Sequence, residues 1–443
     1  MKKHMKALFV VIDYPDLQLE NDRIQNAISS LIESVDVDGI VYTKIVDKTR
    51  QMDEVVQFAL LNEVDSIIIY VPTFVWAGRF IQGLRRSTVP IILWSECVPH
   101  SFPLEGTALL HGSLGQVGIK CEILYGNATD KNTIKRARDL IYAAYAMRKL
   151  SFSRFGLLGG VSMEINTGII NPLKWMERFG IDTVFVEQQE IIYEGEKFNE
   201  KIIKEFYLEL QNRFGSVVPY DIRFDHAIRL YFGYKKIIEK YDLDFASLKC
   251  IFDLSNHYAS ACLAQGLLNE GNFVSACCGE SNAAITMYML RLMCVEPMMM
   301  ADIAHIDVNE KRLHLLCDGS ASPAIATNDK SIQLNYQNEV ESAAGGICVT
   351  LIGKPGEVTI AKFAEYHGEF ILHIAHGEAF IPDSTIKNEC GFDTWPHIHV
   401  RLNSDPLKFI ENNMGQYTVC CYGNQIDKLE TLAKYLNIRI LRS

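Results

Sequence analysis

Three places in the chain set side chains able to hold a cation or move a proton at the ends of apolar runs. In VSACCGESNAAITMYMLRLM, from Val274 to Met293, Cys277, Cys278 and Glu280 stand where a strand-like run gives way to a helix-like one. MMMADIAHID carries Asp302, and TWPHIHV carries His397 and His399. A divalent ion needs carboxylate or imidazole ligands that converge from different elements, because neighbours in sequence rarely surround an ion. Glu280, Asp302 and the two histidines are therefore the candidate metal and proton-transfer residues. Cys278 would be a softer ligand beside them.

Each of these residues also has a plainer reading. Residues i and i+2 of a strand share a face, so His397 and His399 can both line a pocket, or one can be a satisfied interior residue and the other surface. Asp302, after MMMA, also fits a helix cap or a turn. Glu280 also fits a first-turn acid complementing a helix dipole. A single cysteine here reads first as a small buried hydrophobe. Trp76 in PTFVWAG and Trp94 in ILWSEC sit at the ends of apolar runs, and Trp395 lies beside the histidine pair. They are the candidates for substrate binding, as rings that floor a sugar, although packing is their commoner use.

Competing motifs are missing from the sequence. Gly159-Gly160 is not part of a G-x-G-x-x-G, and there is neither a G-x-x-x-x-G-K-[ST] run nor a G-x-S-x-G elbow. No two cysteines are spaced C-x-x-C, which removes zinc ribbons and thioredoxin-like motifs. In HIAHGE, His373 and His376 are three apart on a strand-like segment and should face opposite ways.

The elements that must position these residues follow from the apolar periodicity. ALFVVID (7–13), GIVYTKIV (39–46), SIIIYV (66–71) and PIILW (90–94) alternate with helix-like segments such as 51–62, the pattern of a parallel sheet covered on both faces. A second series opens at SRFGLLGG (153–160) and continues through DTVFVE (182–187), KCIFDL (249–254) and NFVSAC (272–277), with a polar helical stretch from Gly195 to about Phe214. Beyond Pro297 the texture becomes short alternating runs: RLHLLCD, GICVTLIG, GEVTIAKFAEY, EFILHIAHGEA and HIHVRLN. The expected architecture is α/β: two doubly wound Rossmann-like domains, 1–150 and 151–300, followed by an antiparallel β-barrel-like domain, 301–443. Open α/β sheets bind ligands beyond the carboxyl ends of their strands, which is where Cys278 and Glu280 would lie.

Composition narrows the function classes. With 443 residues, 48% hydrophobic and 22% charged, the chain is globular and long enough for two or three domains. A formal net charge of −11 argues against nucleic acid as a partner. The basic N-terminus is followed by an apolar run that stops after Ile12 without a small-residue cleavage site, and no segment approaches the ~18–20 apolar residues of a membrane span. Twelve scattered cysteines fit free thiols in a reducing compartment. The expectation is a soluble cytoplasmic protein with no membrane partner.

The order of these features resembles the L-fucose/L-arabinose isomerase family of ketol isomerases. PIILW, RFGLLGG, CCGESNAAITMYML, MMMAD, LLCDGSASP and WPHIHV stand in the family order over most of the chain. The resemblance implies a divalent metal, usually Mn²⁺, held by a Glu, an Asp and a His. That ion would chelate an open-chain sugar while the carboxylates move a proton between C1 and C2 through an ene-diolate. Asp302 matches the family's metal Asp, and His397, with His399 as the alternative, its metal His. The sequence departs at the first ligand: Cys278 stands where the metal-binding Glu is expected, Glu280 where the family carries Asp, and Cys317-Asp318-Gly319 where it has a His-Cys-Gly-like run. A thiolate there would favour Zn²⁺ and suits proton shuttling poorly. The implied function is an aldose–ketose isomerase acting on a sugar, deoxysugar or sugar derivative. The alternative is a non-catalytic sugar-binding relative. The resemblance further implies a homotrimer or homohexamer with shared active sites.

Overall fold

The computed structural model describes residues 4–13, 21–339, 343–383 and 389–443. Two compact units emerge, one running to Lys149 with Glu430–Leu436 added, the other Leu150–Leu429 with Asn437–Ser443.

The first unit is built on strands β1 (Lys6–Val11), β2 (Asp38–Val41), β3 (Ser66–Tyr70), β4 (Ile91–Ser95) and β5 (Cys121–Tyr125), all parallel in the order β2-β1-β3-β4-β5. Alternate residues feed two separate cores. Leu8, Val10, Ile67, Ile69 and Leu93 pack on one face, and Phe9, Val11, Ile68, Tyr70 and Trp94 on the other. Two buried faces explain why these strands read as continuous apolar runs.

The second unit opens with β6 (Arg154–Leu158) and β7 (Asp182–Val186), followed by the short β8 (Ser216–Val217), β9 (Phe245–Leu248) and β10 (Val274–Ala276). The parallel order is β10-β9-β6-β7. The strand expected at 249–254 is replaced by β9, which lies just before it. Phe245–Leu248 takes up the ladder against Phe155–Leu158, while Cys250 closes a turn by accepting Ser255 N–H at 3.2 Å. A short apolar run signalled burial here, and the turn bonds that end the strand are not periodic.

The helix Ser281–Met293 follows β10 and packs against β9, β10 and one end of an antiparallel sheet. That sheet uses β11 (Met298–Asp307) and β12 (Arg312–Leu316); β13 (Gln333–Tyr336) forms a separate sheet between β14 (Ile347–Thr350) and β8; then come β15 (Gly356–Tyr366), β16 (Glu369–Phe380), β17 (His397–Leu402), β18 (Tyr417–Tyr422) and β19 (Arg439–Arg442). The order is β15-β18-β11-β12-β17-β16-β19, and β15 also pairs with β16 from Gly356↔Ala379 to Tyr366↔Glu369. Asp302 lies within β11, not at a cap or turn. The fold is thus mixed α/β, with parallel sheets followed by a C-terminal antiparallel one. Among the described residues no helix is long and apolar enough to cross a membrane, and all twelve cysteines are free thiols.

Candidate functional site

Strand β10 ends at Ala276 and the chain turns through Cys277, Cys278 and Gly279 into the helix. Cys278 and Gly279 are both left-handed, with φ of +59° and +73°. A Cβ on Gly279 would lie 2.1 Å from the Gly160 carbonyl oxygen, so glycine lets this turn approach the loop that follows β6. Backbone bonds fix the turn from two sides: Ser162 N–H donates to Cys278 O at 3.0 Å, and Gly279 N–H to Leu248 O at 3.2 Å. The carboxyl edge of the parallel sheet therefore holds Cys278 and Glu280 rigidly.

Glu280 is fully buried and its Oε1 forms an ion pair with Lys362 Nζ of β15, both side chains without solvent exposure. Glu280 Oε2 has no hydrogen-bond partner among the described residues. Opposite it runs the bare backbone of Gly168, where a Cβ would sit 2.5 Å from that oxygen. Burial raises the Glu280 pKa, and the Lys362 charge opposes the rise.

Two further carboxyls join from the antiparallel sheet. Asp318, just past β12, is buried and accepts the Cys278 thiol at 3.1 Å. Asp302 stands on β11 directly opposite Tyr417 of β18 and Leu316 of β12, and Leu316 in turn opposes His397 of β17. Tyr417, Asp302, Leu316 and His397 thus form one row across four strands. Asp302 is half-buried but closely surrounded: burial first, then the Asp318 charge, raise its pKa well above the carboxylate range, while Lys362 pulls it down. Burial also raises Asp318, and bonds from Cys278 and Cys277 oppose that. For Cys278 the Cys277 thiol lowers the pKa, yet burial and Asp318 hold it at about 11, so it is a neutral thiol at pH 7. A narrow crevice reaches Cys277 and Asp318 from beside Ser255, Cys262 and Gln337.

The histidines form a different cluster. His314 of β12 opposes His399 of β17, and their rings stack at 4.0 Å between centroids. His397 Nδ1 lies 2.9 Å from His314 Nε2, and His397 Nε2 lies 3.1 Å from Phe392 O. Burial, then the charges of His399 and His397, push His314 down to about 3. The structure brings Cys278, Glu280 and Asp302 to one region with Asp318, Lys362 and Tyr417. His397 and His399 instead belong to the group around His314.

Trp94 packs inside the first unit, its indole N–H donating to Gly126 O at 3.0 Å. Trp76, also in the first unit, is half exposed beneath the Arg79 guanidinium. Trp395 is buried, donates to Gln337 Oε1 at 2.8 Å and stacks on Phe392.

Lys362, His314 and Tyr417 escaped sequence reasoning. Lys362 left one trace, a lysine between Ala361 and Phe363 in an otherwise apolar strand. Buried lysines are rare unless paired.

No family model matches the chain. It is 21% identical over 395 residues to a sulfoquinovose isomerase from Clostridium sp. (strain MSTE9), covering 84% of this chain and 85% of that protein. Among solved structures, an ABC transporter solute-binding protein from Burkholderia multivorans aligns over 57% of this chain and 82% of its own at 12% identity, with a TM-score of 0.19. A periplasmic solute-binding protein from Actinobacillus succinogenes 130z with bound D-allose aligns over 66% and 92% at 14% identity, also with a TM-score of 0.19.

The metal set implied by the family resemblance does not assemble around one point in this structure. Glu280 is committed to Lys362, both ring nitrogens of His397 are engaged, and Leu316 separates His397 from Asp302. Among the described residues, the groups within coordination distance are Cys277 with Cys278 and Asp318, and His314 with Glu389 and His399.

Proposed function

We propose that the protein is an aldose–ketose isomerase acting on a sugar or sugar derivative. The observation that carries this reading is the set of three buried or half-buried carboxyls near the carboxyl edge of β10: Glu280 paired with the buried Lys362 ammonium, Asp302 under the charges of Asp318 and Lys362, and Asp318 bonded to the Cys278 thiol. The 21% identity to a sulfoquinovose isomerase along most of both chains supports it.

Isomerisation moves a proton from C2 to C1 and the hydroxyl proton from O2 to O1, with no net redox change. Asp302 is the group for the carbon-bound proton: it keeps part of its surface open, and its raised pKa brings it toward the range where general acid–base catalysis works at neutral pH. The Lys362 ammonium stabilises the negative charge of the ene-diolate in a low-dielectric surrounding. Glu280 positions that ammonium. Tyr417, opposite Asp302, is a hydroxyl donor for the substrate oxygens. Cys278, a neutral thiol bonded to Asp318, fixes the second carboxylate. No step here passes through a metal.

The test is proton exchange in D₂O followed by NMR, with sulfoquinovose, L-fucose and L-arabinose as substrates, with and without added Mn²⁺. The expected result is deuterium at C2 of the aldose with formation of ketose, slowed by about 10²–10⁴-fold in Asp302→Asn. Saturable sugar binding without exchange would establish a sugar-binding relative instead. Neither binding nor exchange with any of these sugars would overturn the reading.

A further inference from the structure

We propose a zinc-class metal site separate from the carboxylate–lysine cluster, formed by His314 Nδ1, the Cys390 thiolate and the Glu389 carboxylate, with His399 completing it. The argument begins with hydrogen-bond polarity. A backbone carbonyl only accepts, so His397 Nε2 carries the proton directed at Phe392 O, 3.1 Å away. Neutral His397 then has its lone pair on Nδ1, which accepts the Nε2–H of His314 at 2.9 Å. His314 is left with a bare lone pair on Nδ1.

That lone pair faces Cys390 Sγ at 3.3 Å and Glu389 Oε1 at 3.3 Å. In a tetrahedral zinc site with bonds of roughly 2.0–2.3 Å, neighbouring ligand atoms lie about 3.3–3.8 Å apart. The ligand atoms of His314, Glu389 and His399 lie within 4.8 Å of one another, and Cys390 Sγ reaches this trio at His314 Nδ1. The surroundings have the form of a metal's outer shell. A ligating imidazole donates its other N–H to a fixed acceptor, as His314 does to His397, and a ligating carboxylate is itself held, as Glu389 is by both Nη atoms of Arg312.

The donor set selects the metal. Two imidazoles, a thiolate and one carboxylate suit zinc and disfavour manganese, which prefers oxygen ligands. Without metal, the Cys390 thiol donates its proton to His314 Nδ1; binding releases that proton to solvent. The ion would pin residues 389–392 to the β12–β17 ladder.

The test is a Co²⁺ titration of the metal-stripped full-length protein, followed by displacement with Zn²⁺. The expected result is a cobalt–thiolate charge-transfer absorption with tetrahedral visible bands at one ion per chain, abolished by Zn²⁺. Cys390→Ser and His314→Gln should remove the thiolate band, whereas Cys278→Ser should leave it. Cys390 is a partly exposed loop residue, so its variant keeps the fold, checked by circular dichroism, if His314→Gln does not. No tetrahedral spectrum, a band that survives Cys390→Ser, or a band lost with Cys278→Ser would each overturn the site. These spectra are independent of isomerase activity, so this proposal and the functional one fail separately.

Discussion

Two polar clusters share the antiparallel sheet's neighbourhood and can do different things. Around Glu280 the groups are charges: one ammonium, Lys362, among three carboxyls, each pushed by burial toward its neutral form. Around His314 they are imidazoles in a tautomer chain that ends on a carbonyl, beside the Glu389–Arg312 ion pair. The first cluster can stabilise and move charge, and the second can accept a soft cation. The difference comes from which side chains are present and from what each is paired with.

The largest expected break in this comparison is Lys362→Met. It leaves Glu280 buried without its partner and should cost about 3–5 kcal/mol in a denaturant melt, with the double variant Lys362→Met/Glu280→Gln recovering most of the loss. His314→Phe, at the same depth but removing only a neutral ring, should cost less than half as much. Equal losses would show that the two clusters do not differ in charge as described.

A smaller effect is expected at Gly168. Alanine there places a methyl 2.5 Å from Glu280 Oε2 and should destabilise the protein by about 1–3 kcal/mol. A neutral outcome would mean the loop moves freely away from Glu280.

The smallest is a gain. Asp302 has a folded pKa raised above its unfolded value, so its contribution to stability is fully present below pH ~3.9, the unfolded value, and is lost as pH rises through the folded value. Asp302→Asn removes that loss and should raise the melting temperature at pH 7, with little gain near pH 4. A melting temperature that falls at pH 7 would show that the carboxylate is stabilised in place, against the electrostatic picture of the site.

Much of the fold was legible from periodicity. β15 spans the whole of GEVTIAKFAEY, β16 covers EFILHIAHGEA plus Phe380, and β1, β3 and β4 overlap their β-branched runs, whereas β2 takes only the start of 39–46 and β5 was not anticipated. His373 is buried against Ser443 while His376 meets Glu357, the opposite faces that their spacing in a strand requires. The register between elements was not legible. That Asp302 faces Tyr417 while Leu316 keeps it from His397 depends on which strands become neighbours, and sequence distance does not encode this.

The sequence by itself determined that a cysteine and a glutamate stand at a strand-to-helix edge and that Asp302 and the histidines lie near apolar runs, because burial writes itself into local periodicity. Only the tertiary structure decided that a lysine 82 positions away would neutralise Glu280, and that the histidines would turn to His314. The reason is physical: the energy of a buried charge or lone pair is set by whatever sits within a few ångströms of it, and those neighbours arrive from distant parts of the chain.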